Sequence, residues 1–328
     1  MTAFFSSAAP YQRENDAAVI ASSFLSERDG FLILTHARPD GDTVGSAYAL
    51  CAALREAGKR AFLFPDPTGG EQFRRFYARF TVSPPPEDLT VVAVDVADPK
   101  LLPPEAAPYG EKAALVIDHH VKNRFPSGVH AVDPTAAAAA EIVRDIIALL
   151  GLPLSRESAE GIYLGVMTDT GCFKFSNVSP RTHRVASDAM EAGADAASLA
   201  REFFIKSSPA RMALEAYLIA GFVRRAEGRI ILAPLSAGAE ASFGANEDDT
   251  AGLASLTVKP EGCEIGILLR EVPEGIKVSI RTDLYADAAA IASAFGGGGH
   301  VRAAGCTLTG KTMDEALKLM ENEALKRL

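Results

Sequence analysis

Short, continuous runs of apolar residues recur in the first 120 residues of this chain, and three of them end in a carboxylate or an imidazole. The runs and the residues that follow them are 31–35 before His36, 91–94 before Asp95, and 114–117 before Asp118. Continuous apolar runs of this kind are typical of strands buried on both faces of a parallel sheet. The carboxyl ends of such strands border the crevice in which these sheets bind ligands. The pattern therefore predicts polar residues gathered at one edge of a parallel sheet.

Segments with the spacing of helices alternate with these strands through the first half of the chain. We expect two further strands at 61–64 and 129–132. The expected helices cover 44–57, 71–78, 137–150, 157–167, 180–192 and 196–204. Strands that alternate with helices indicate a parallel sheet with helices on both faces. The first part of the chain is thus predicted to be a doubly wound α/β domain.

The pattern changes near residue 207. A helical connector at 210–221 leads into short strands with hairpin spacing, which are typical of an antiparallel sheet. These strands and the helices after them are predicted at 222–226, 229–233, 263–271, 276–281, 286–294 and 313–326. We predict an α/β domain at 1–190, a helical linker at 191–214 and a smaller, mainly antiparallel α+β domain at 215–328. A cleft between the domains is the expected ligand site.

The composition, 48% hydrophobic and 23% charged, is typical of an ordinary globular protein of the cytoplasm. No apolar stretch approaches the roughly 20 residues that are needed to span a bilayer. Residues 1–10 lack the basic and apolar regions of a secretory signal. The four cysteines are far apart and resemble reduced, mostly buried thiols. We therefore expect a cytoplasmic protein without a membrane partner.

The net charge of −9 narrows the range of partners. A protein that coats long duplex nucleic acid neutralises many phosphates, and a strongly acidic chain is poorly suited to this. A short phosphorylated ligand is compatible with the charge, because bound cations and a few basic residues dominate an individual site. We therefore expect a short partner.

Four polar elements are placed where they could hold metal ions. They are Asp40 and Asp42 in a Pro-Asp-Gly-Asp turn, Asp95, the pair His119 and His120 after Asp118, and Asp169 at a predicted helix end. Taken singly, the turn, the strand end and the helix end each have a purely structural interpretation. Consecutive histidines after a buried strand are harder to explain in that way, and the helix dipole disfavours a carboxylate at position 169.

Four carboxylates at one point would repel one another, and two divalent ions would cancel their charge. Oxygen and imidazole ligands without thiolate favour Mn²⁺ or Mg²⁺ over structural zinc. Two such ions about 3.5–4 Å apart are the usual apparatus of phosphoester hydrolysis. Asp95, which follows the central strand, is the predicted bridging ligand.

The same residues resemble the motifs of the DHH phosphoesterases. The matching segments are His36-x-x-Pro-Asp-Gly-Asp42-x-x-Gly45-Ser46, Asp95-Val-Ala-Asp98, Asp118-His-His120, Asp169-Thr-Gly171 and Gly296-Gly-Gly-Gly-His300-x-x-Ala303-Ala-Gly305. The last segment resembles the substrate-binding domain that is associated with this family. In length and domain plan the chain is most similar to the nano-RNase branch of the family.

The resemblance implies a role for each residue of the first domain's motifs. The implied metal ligands are His36, Asp40, Asp42, Asp95, His119 and Asp169. Asp118 would orient the ligands from behind, and His120 would face the scissile phosphate as a hydrogen-bond donor or general acid. One departure is Val178 after Asn177, where the family often has threonine. This change leaves the metals untouched but puts a substrate contact in doubt.

Substrate contacts are expected in the second domain. The glycines at 296–299 expose amides that can surround an anion, and a helix N-terminus just beyond them would add a favourable dipole. Arg281 can hold a phosphate through two parallel hydrogen bonds, and it matches the family's Ser-x-Arg position. A flexible loop and a solvated charge are the respective alternatives. The predicted substrate-binding residues are Arg281, Gly297, Gly298, Gly299 and His300.

Aromatic side chains could stack on nucleobases, but the sequence favours a place in the core for the three nearest these motifs, Phe173, Tyr285 and Phe295.

The resemblance implies a phosphodiesterase with two Mn²⁺ ions, or Mg²⁺ in their place, that releases nucleoside 5′-monophosphates from very short single-stranded RNA or DNA. It also implies a pAp phosphatase activity. An enzyme that cleaves linear dinucleotides such as pApA is one alternative, and a catalytically silent nucleotide-binding regulator is another. A homodimer is an oligomeric state that the sequence leaves open.

Overall fold

The computed structural model describes residues 16–66 and 69–328. Residues 1–10, on which the expectation of no secretory signal depends, lie outside the described residues. The chain divides into two compact units, Met1–Lys206 and Ser207–Leu328, so the boundary falls inside the linker predicted at 191–214. No described helix has the length and hydropathy needed to cross a membrane.

The first unit contains a parallel sheet of five strands in the order β2-β1-β3-β4-β5. The strands are β1 Phe31–Leu34, β2 Ala61–Leu63, β3 Thr90–Val94, β4 Leu115–Asp118 and β5 Val129–Val132. Every residue of β1 and β4 is buried, as their continuous apolar sequences predicted. The doubly wound α/β fold is thereby confirmed for this unit.

Most helices of the first unit lie close to predicted positions. They are α1 Asp16–Ser26, α2 Gly41–Glu56, α3 Arg74–Ala78, α4 Ala107–Gly110, α5 Ala139–Leu149, α6 Arg156–Asp169, α7 Pro180–Glu191 and α8 Ala196–Ala200. The predicted helix at 196–204 is α8 followed by a wider π turn at Arg201–Ile205. Helices α1 and α4 were not predicted. The buried stripe of α1 consists mainly of alanine and serine and gives a weak hydrophobic signal, and α4 is only four residues long.

Helices α2 and α6 pack with their backbones in direct contact, and glycine makes this contact possible. A Cβ added to Gly45 would lie 2.2 Å from the Gly161 carbonyl oxygen, and a Cβ added to Gly161 would lie 2.5 Å from that of Gly45. One turn further along α6, a Cβ on Gly165 would meet Asp42 Oδ1 at 2.6 Å. The seam formed by Gly45, Gly161 and Gly165 therefore sets the distance between the start of α2 and the end of α6.

The second unit contains a sheet of six strands in the order β10-β11-β9-β8-β7-β6. The strands are β6 Val223–Arg225, β7 Ile230–Leu235, β8 Ile265–Val272, β9 Gly275–Thr282, β10 Gly298–His300 and β11 Ala303–Leu308. Neighbouring strands run antiparallel except for the parallel pair of β7 and β8. The sheet is therefore mixed, although mainly antiparallel as predicted.

Five helices accompany this sheet. They are α9 Pro209–Ala220, α10 Ala237–Ser242, α11 Glu247–Thr250, α12 Ala288–Ser293 and α13 Met313–Leu325. One hydrophobic cluster joins the sheet to α12 and α13, and a second joins it to α9. The sheet thus has an apolar core on each face.

The prediction of a helix N-terminus just beyond the glycine segment was wrong. Gly298–His300 forms strand β10, which pairs with β11, and α12 lies before the glycines instead of after them. A Cβ on Gly297 would lie 2.2 Å from the Gly305 carbonyl oxygen, so the glycines permit a close approach of two chain segments. The segment therefore forms the edge of a hairpin instead of a helix start, and its role in substrate binding stays a prediction.

The prediction that Tyr285 lies in the core was also wrong, since 57% of this residue is exposed. Its loop is held from the protein side through backbone groups, as described below, which leaves the side chain facing solvent. Phe173 and Phe295 are partly buried and pack against the cores of their units, as expected.

Candidate metal centre

The residues predicted as metal ligands lie together at one edge of the parallel sheet. Their donor atoms form three overlapping groups, each within 4.8 Å: His36 with Asp40 and Asp95, Asp42 with His119 and Asp169, and Asp95 with His119 and His120. His36, Asp95 and His119 follow the carboxyl ends of β1, β3 and β4. The structure thus brings all six predicted ligands together and places His120 beside them.

Asp40 is the N-cap of α2. Its Oδ1 accepts hydrogen bonds from the backbone N–H groups of Asp42 and Thr43, at 3.1 and 3.0 Å. An N-cap carboxylate satisfies amides that have no partner inside the helix, and it is further stabilised by the helix dipole. The Pro-Asp-Gly-Asp segment is therefore both a structural cap and a source of one carboxylate for the cluster.

Asp42 is completely buried and receives its hydrogen bonds from elements that surround it. Its Oδ1 accepts from Ser46 Oγ at 2.9 Å and from the Ala140 N–H at 3.0 Å, and its Oδ2 accepts from the Ala139 N–H at 2.6 Å. The two amides are the start of α5, so a second helix N-terminus stabilises this charge. Burial nevertheless raises the pKa of Asp42, and the charge of Asp40 adds to the rise.

Asp95 has a strained backbone, and one of its two carboxylate oxygens has no hydrogen-bond partner. Its φ of 58° is in the left-handed region, which costs a non-glycine residue on the order of 1–3 kcal/mol. Asp95 Oδ2 accepts a hydrogen bond from Thr43 Oγ1 at 2.6 Å, whereas the buried Oδ1 has no hydrogen-bond partner. Burial, followed by the charges of Asp42 and Asp40, raises the pKa of Asp95 well above its usual value.

The Thr43 hydroxyl lies among three potential acceptors. Its Oγ1 is 2.6 Å from Asp95 Oδ2, 2.7 Å from His36 Nε2 and 3.1 Å from Asp40 Oδ1. A hydroxyl has one proton, so it cannot donate to all three at once. Thr43 could not be predicted from the sequence, because a threonine in the first turn of a helix gives no signal of such contacts.

Both ligand histidines direct Nε2 toward the cluster. His36 Nδ1 lies 3.0 Å from the Ala37 carbonyl oxygen, and His119 Nδ1 lies 3.3 Å from the carbonyl oxygen of Ala136. Donation from Nδ1 to these carbonyls places the Nε2 lone pair on the side of the carboxylates. His119 Nε2 is then 3.3 Å from an oxygen of Asp169, a repulsive contact that a cation would make favourable.

Asp118 and His120 form a separate hydrogen-bonded pair behind the ligands. The buried Asp118 accepts from His120 Nδ1 at 2.7 Å and from Asn123 Nδ2 at 2.8 Å. Burial acts to raise the pKa of Asp118, but the hydrogen bonds from His120 and Asn123 outweigh it and lower the pKa. The same hydrogen bond raises the pKa of His120. Asn123 was missed, because a single asparagine in a loop does not reveal its partner.

Asp169 ends α6 and completes the cluster. Burial, followed by the charges of Asp42 and Asp40, raises the pKa of Asp169 to about 9. Asn177 Nδ2 donates to the backbone carbonyl oxygens of Asp169 and Ala137, each at 3.1 Å, and so ties the end of α6 to the segment before α5.

The donor set fits divalent cations. Three observations indicate that the site is suited to a cation. One oxygen of Asp95 has no hydrogen-bond partner, the Thr43 hydroxyl lies among three acceptors, and imidazole lone pairs face carboxylates. Oxygen and nitrogen donors without thiolate suit Mn²⁺ or Mg²⁺. The ligand roles remain predictions that this geometry supports.

The predicted substrate-binding residues of the second unit share one end of its sheet. His300 pairs with Ala303, and Ala303 pairs with Arg281, so these three residues form a row across β10, β11 and β9. Directly opposed residues project on the same face of a sheet. Burial lowers the pKa of Arg281, and its Nη1 donates to the Ile280 carbonyl oxygen.

Two family models match the chain. Residues 30–166 match the N-terminal domain of the DHH family, and residues 228–326 match the DHHA1 domain. The chain therefore belongs to the DHH family.

Several known proteins are similar to this chain. The bifunctional oligoribonuclease and PAP phosphatase NrnA of Thermus thermophilus is 37% identical, and the alignment covers 87% of this chain and 86% of that protein. The cyclic-di-AMP phosphodiesterase GdpP of Bacillus subtilis is 25% identical over 91% of this chain, which spans 48% of that protein. A crystal structure of an exopolyphosphatase-related protein from Bacteroides fragilis is 23% identical with a TM-score of 0.84, covering 95% of this chain and 96% of that one, and supports the fold.

Proposed function

We propose that this protein is a metal-dependent phosphodiesterase that degrades very short single-stranded oligonucleotides to nucleoside 5′-monophosphates and also dephosphorylates pAp. The observation that carries the proposal is the buried, unpartnered Oδ1 of Asp95 among three groups of metal-ligand donors. The two matched domains and the NrnA relative, whose name states both activities, support the choice of substrate.

The proposed ligands divide into two sets that share Asp95. Its Oδ2 lies on the side of Thr43 and His36, and its Oδ1 is 3.5 Å from His119 Nε2. This arrangement supports a bridging role between two Mn²⁺ or Mg²⁺ ions. The proposed ligands are His36, Asp40, Asp42, Asp95, His119 and Asp169. When bound, such ions stabilise the negative charge that develops on the phosphate oxygens.

His120 is the proposed proton donor. Asp118 accepts from Nδ1 and thereby fixes the ring, which leaves Nε2 to face the substrate. The Asp118 carboxylate accepts the Nδ1 proton and stabilises a protonated imidazole, which can stabilise a phosphate oxygen or protonate the leaving oxygen. Asp118 acts through His120, as a positioning residue.

The test is hydrolysis by the purified protein after removal of metal with EDTA and addition of Mn²⁺ or Mg²⁺. We expect RNA of two to five nucleotides to yield 5′-mononucleotides and pAp to yield AMP, with no turnover in EDTA. Hydrolysis at an unchanged rate in EDTA, or release of 3′-mononucleotides, would contradict the proposal.

A phosphodiesterase for linear dinucleotides such as pApA is the second candidate. The chain is similar over 91% of its length to GdpP, whose name states that it acts on cyclic-di-AMP, the cyclic counterpart of pApA. The kcat/KM values for pApA, pAp and RNA of three to five nucleotides distinguish the two. A preference for pApA alone would favour the second candidate. A silent nucleotide-binding regulator would bind these compounds and hydrolyse neither them nor bis-p-nitrophenyl phosphate.

The cytoplasmic location, the lack of membrane and long-duplex partners and the homodimer remain predictions. The net charge of −9 supports a short nucleic-acid substrate. Gel filtration with light scattering tests the dimer, and cell fractionation tests the location.

A further inference from the structure

The loop at 283–287, which follows strand β9, exposes two large apolar side chains. Leu284 is 71% exposed and Tyr285 is 57% exposed. Val301, in the turn between β10 and β11, is 52% exposed. Neighbouring apolar side chains that remain in contact with water are typical of binding surfaces.

A buried carboxylate holds the backbone of this loop in place. Glu264 is only 4% exposed, and its side chain accepts hydrogen bonds from three successive backbone N–H groups. The distances are 3.1 Å to Leu284, 2.8 Å to Tyr285 and 2.6 Å to Ala286. Charge-assisted hydrogen bonds of this kind are roughly twice as strong as neutral ones. The outward position of Tyr285 is thus fixed by the fold.

The turn between β10 and β11 also forms hydrogen bonds with this loop. The Arg302 guanidinium donates to the carbonyl oxygens of Leu284 and Ala286. The Val301 carbonyl oxygen accepts from Thr282 Oγ1 at 3.0 Å and from the Ala288 N–H at 2.8 Å. The apolar loop and the hairpin turn therefore form one preorganised surface. A preorganised surface loses little conformational entropy when a ligand binds.

A positive charge lies close to this loop in the sequence, at the end of strand β9. Arg281 precedes the loop by two residues and, among the described residues, has no carboxylate within ion-pair distance. A partly buried guanidinium without a carboxylate partner favours an anionic ligand, and Arg–phosphate pairs are a frequent form of such recognition. An anion site beside an apolar surface matches the two parts of a nucleotide, its phosphate and its base.

We propose that Tyr285, supported by Leu284, is a stacking platform for one nucleobase of the substrate, whose adjacent phosphate is bound by Arg281. The inference rests on the proposed function and specifies how the second unit recognises that substrate. A tyrosine face stacks on all four bases, so the platform provides affinity without sequence preference.

The experiment uses equilibrium binding in EDTA, where hydrolysis does not interfere. The probes are the dinucleotide pApA and two analogues that carry an abasic residue at the 5′ or the 3′ position. We expect the wild-type protein to lose about tenfold in affinity when one particular base is removed. Tyr285→Ala should bind pApA about tenfold more weakly than the wild type does, and removal of that base should not weaken its binding further. Tyr285→Phe should bind pApA and both analogues with the affinities of the wild type.

Tyr217→Ala is the matched control, because Tyr217 lies in α9 of the same unit and is 41% exposed. It should retain the wild-type preference for the base. The platform is refuted if Tyr285→Ala binds pApA like the wild type, or if it weakens pApA and both abasic analogues by the same factor. Failure of the wild-type protein to hydrolyse pApA and bis-p-nitrophenyl phosphate with Mn²⁺ would refute the proposed function, and the binding ratios would still decide the platform.

Discussion

The candidate metal centre of the first unit and the loop surface of the second unit are built in opposite ways. The cluster holds buried carboxylates whose pKa values are raised by burial and mutual repulsion. The surface exposes apolar side chains, while the buried carboxylate Glu264 accepts hydrogen bonds from three backbone amides of its loop. The first region is therefore expected to bind cations, whereas the second region has no need of them. We therefore expect substitutions in the first region to lower kcat and substitutions in the second region to weaken substrate binding.

The largest effect is expected from Asp95→Asn. Loss of the bridging charge should lower kcat by more than about 10³-fold with either metal. Asparagine tolerates the left-handed backbone and removes a buried charge, so the variant should melt at a higher temperature than the wild type in EDTA. Steady-state kinetics and thermal melts measure the two effects, with Asp88→Asn, an exposed substitution, as the control. Substantial residual activity would exclude the bridging role.

Asn123→Ala should give the next largest effect. It removes a hydrogen bond to Asp118 and leaves that buried carboxylate less constrained. Loss of a positioning partner typically costs about ten- to a hundredfold, and we expect this loss in kcat with KM little changed. The neighbouring exposed residue provides a control, Lys122→Ala. A change confined to KM would show that Asn123 acts on substrate binding instead.

Arg281→Ala tests the second region. Removing a hydrogen bond to a charged group should raise KM for oligonucleotides about tenfold, with a smaller change in kcat. Arg225→Ala, in the same unit and paired with Glu321 at the surface, is the control. An equal loss with oligonucleotides and with bis-p-nitrophenyl phosphate would remove Arg281 from the substrate site.

The smallest expected effect is a shift in melting temperature. Mn²⁺ at a hundredfold excess over its Kd should raise the melting temperature by about 5 °C, because it binds only the folded state. Arg281→Ala should retain this shift, whereas Asp95→Asn should lose most of it. A shift that Asp95→Asn leaves intact would place the metal elsewhere.

The sequence was sufficient to predict that the proposed metal ligands lie together, because the positions of several of them follow from topology. His36, Asp95 and His119 each follow a buried strand, and parallel strands bring their carboxyl ends to the same edge. Thr43 and Asn123 could not be predicted, since their partners are set by tertiary packing. The amides of Ala139 and Ala140 lie 97 and 98 residues from Asp42 in sequence, and no local pattern indicates that contact.

The errors in the second unit have a similar origin. The glycines at 296–299 have no side chains to produce an alternating pattern, so their pairing with β11 gave no strand signal. Tyr285 is held outward by Glu264, which is about twenty residues earlier in the chain. Aromatic residues are usually buried, and only the structure shows that this loop is fastened through its backbone.

The glycine seam between α2 and α6 has a consequence for how this protein tolerates mutation. Gly161 is roughly 12 Å along the helix axis from Asp169. A methyl group at this position would nonetheless push α6, which ends in Asp169, away from α2, which carries Asp42 in its first turn. Alanine is normally the mildest replacement in a helix, but at this position it is expected to displace the proposed metal ligands. The geometry of the reaction centre therefore depends partly on a residue that has no side chain and lies about two helical turns away from it.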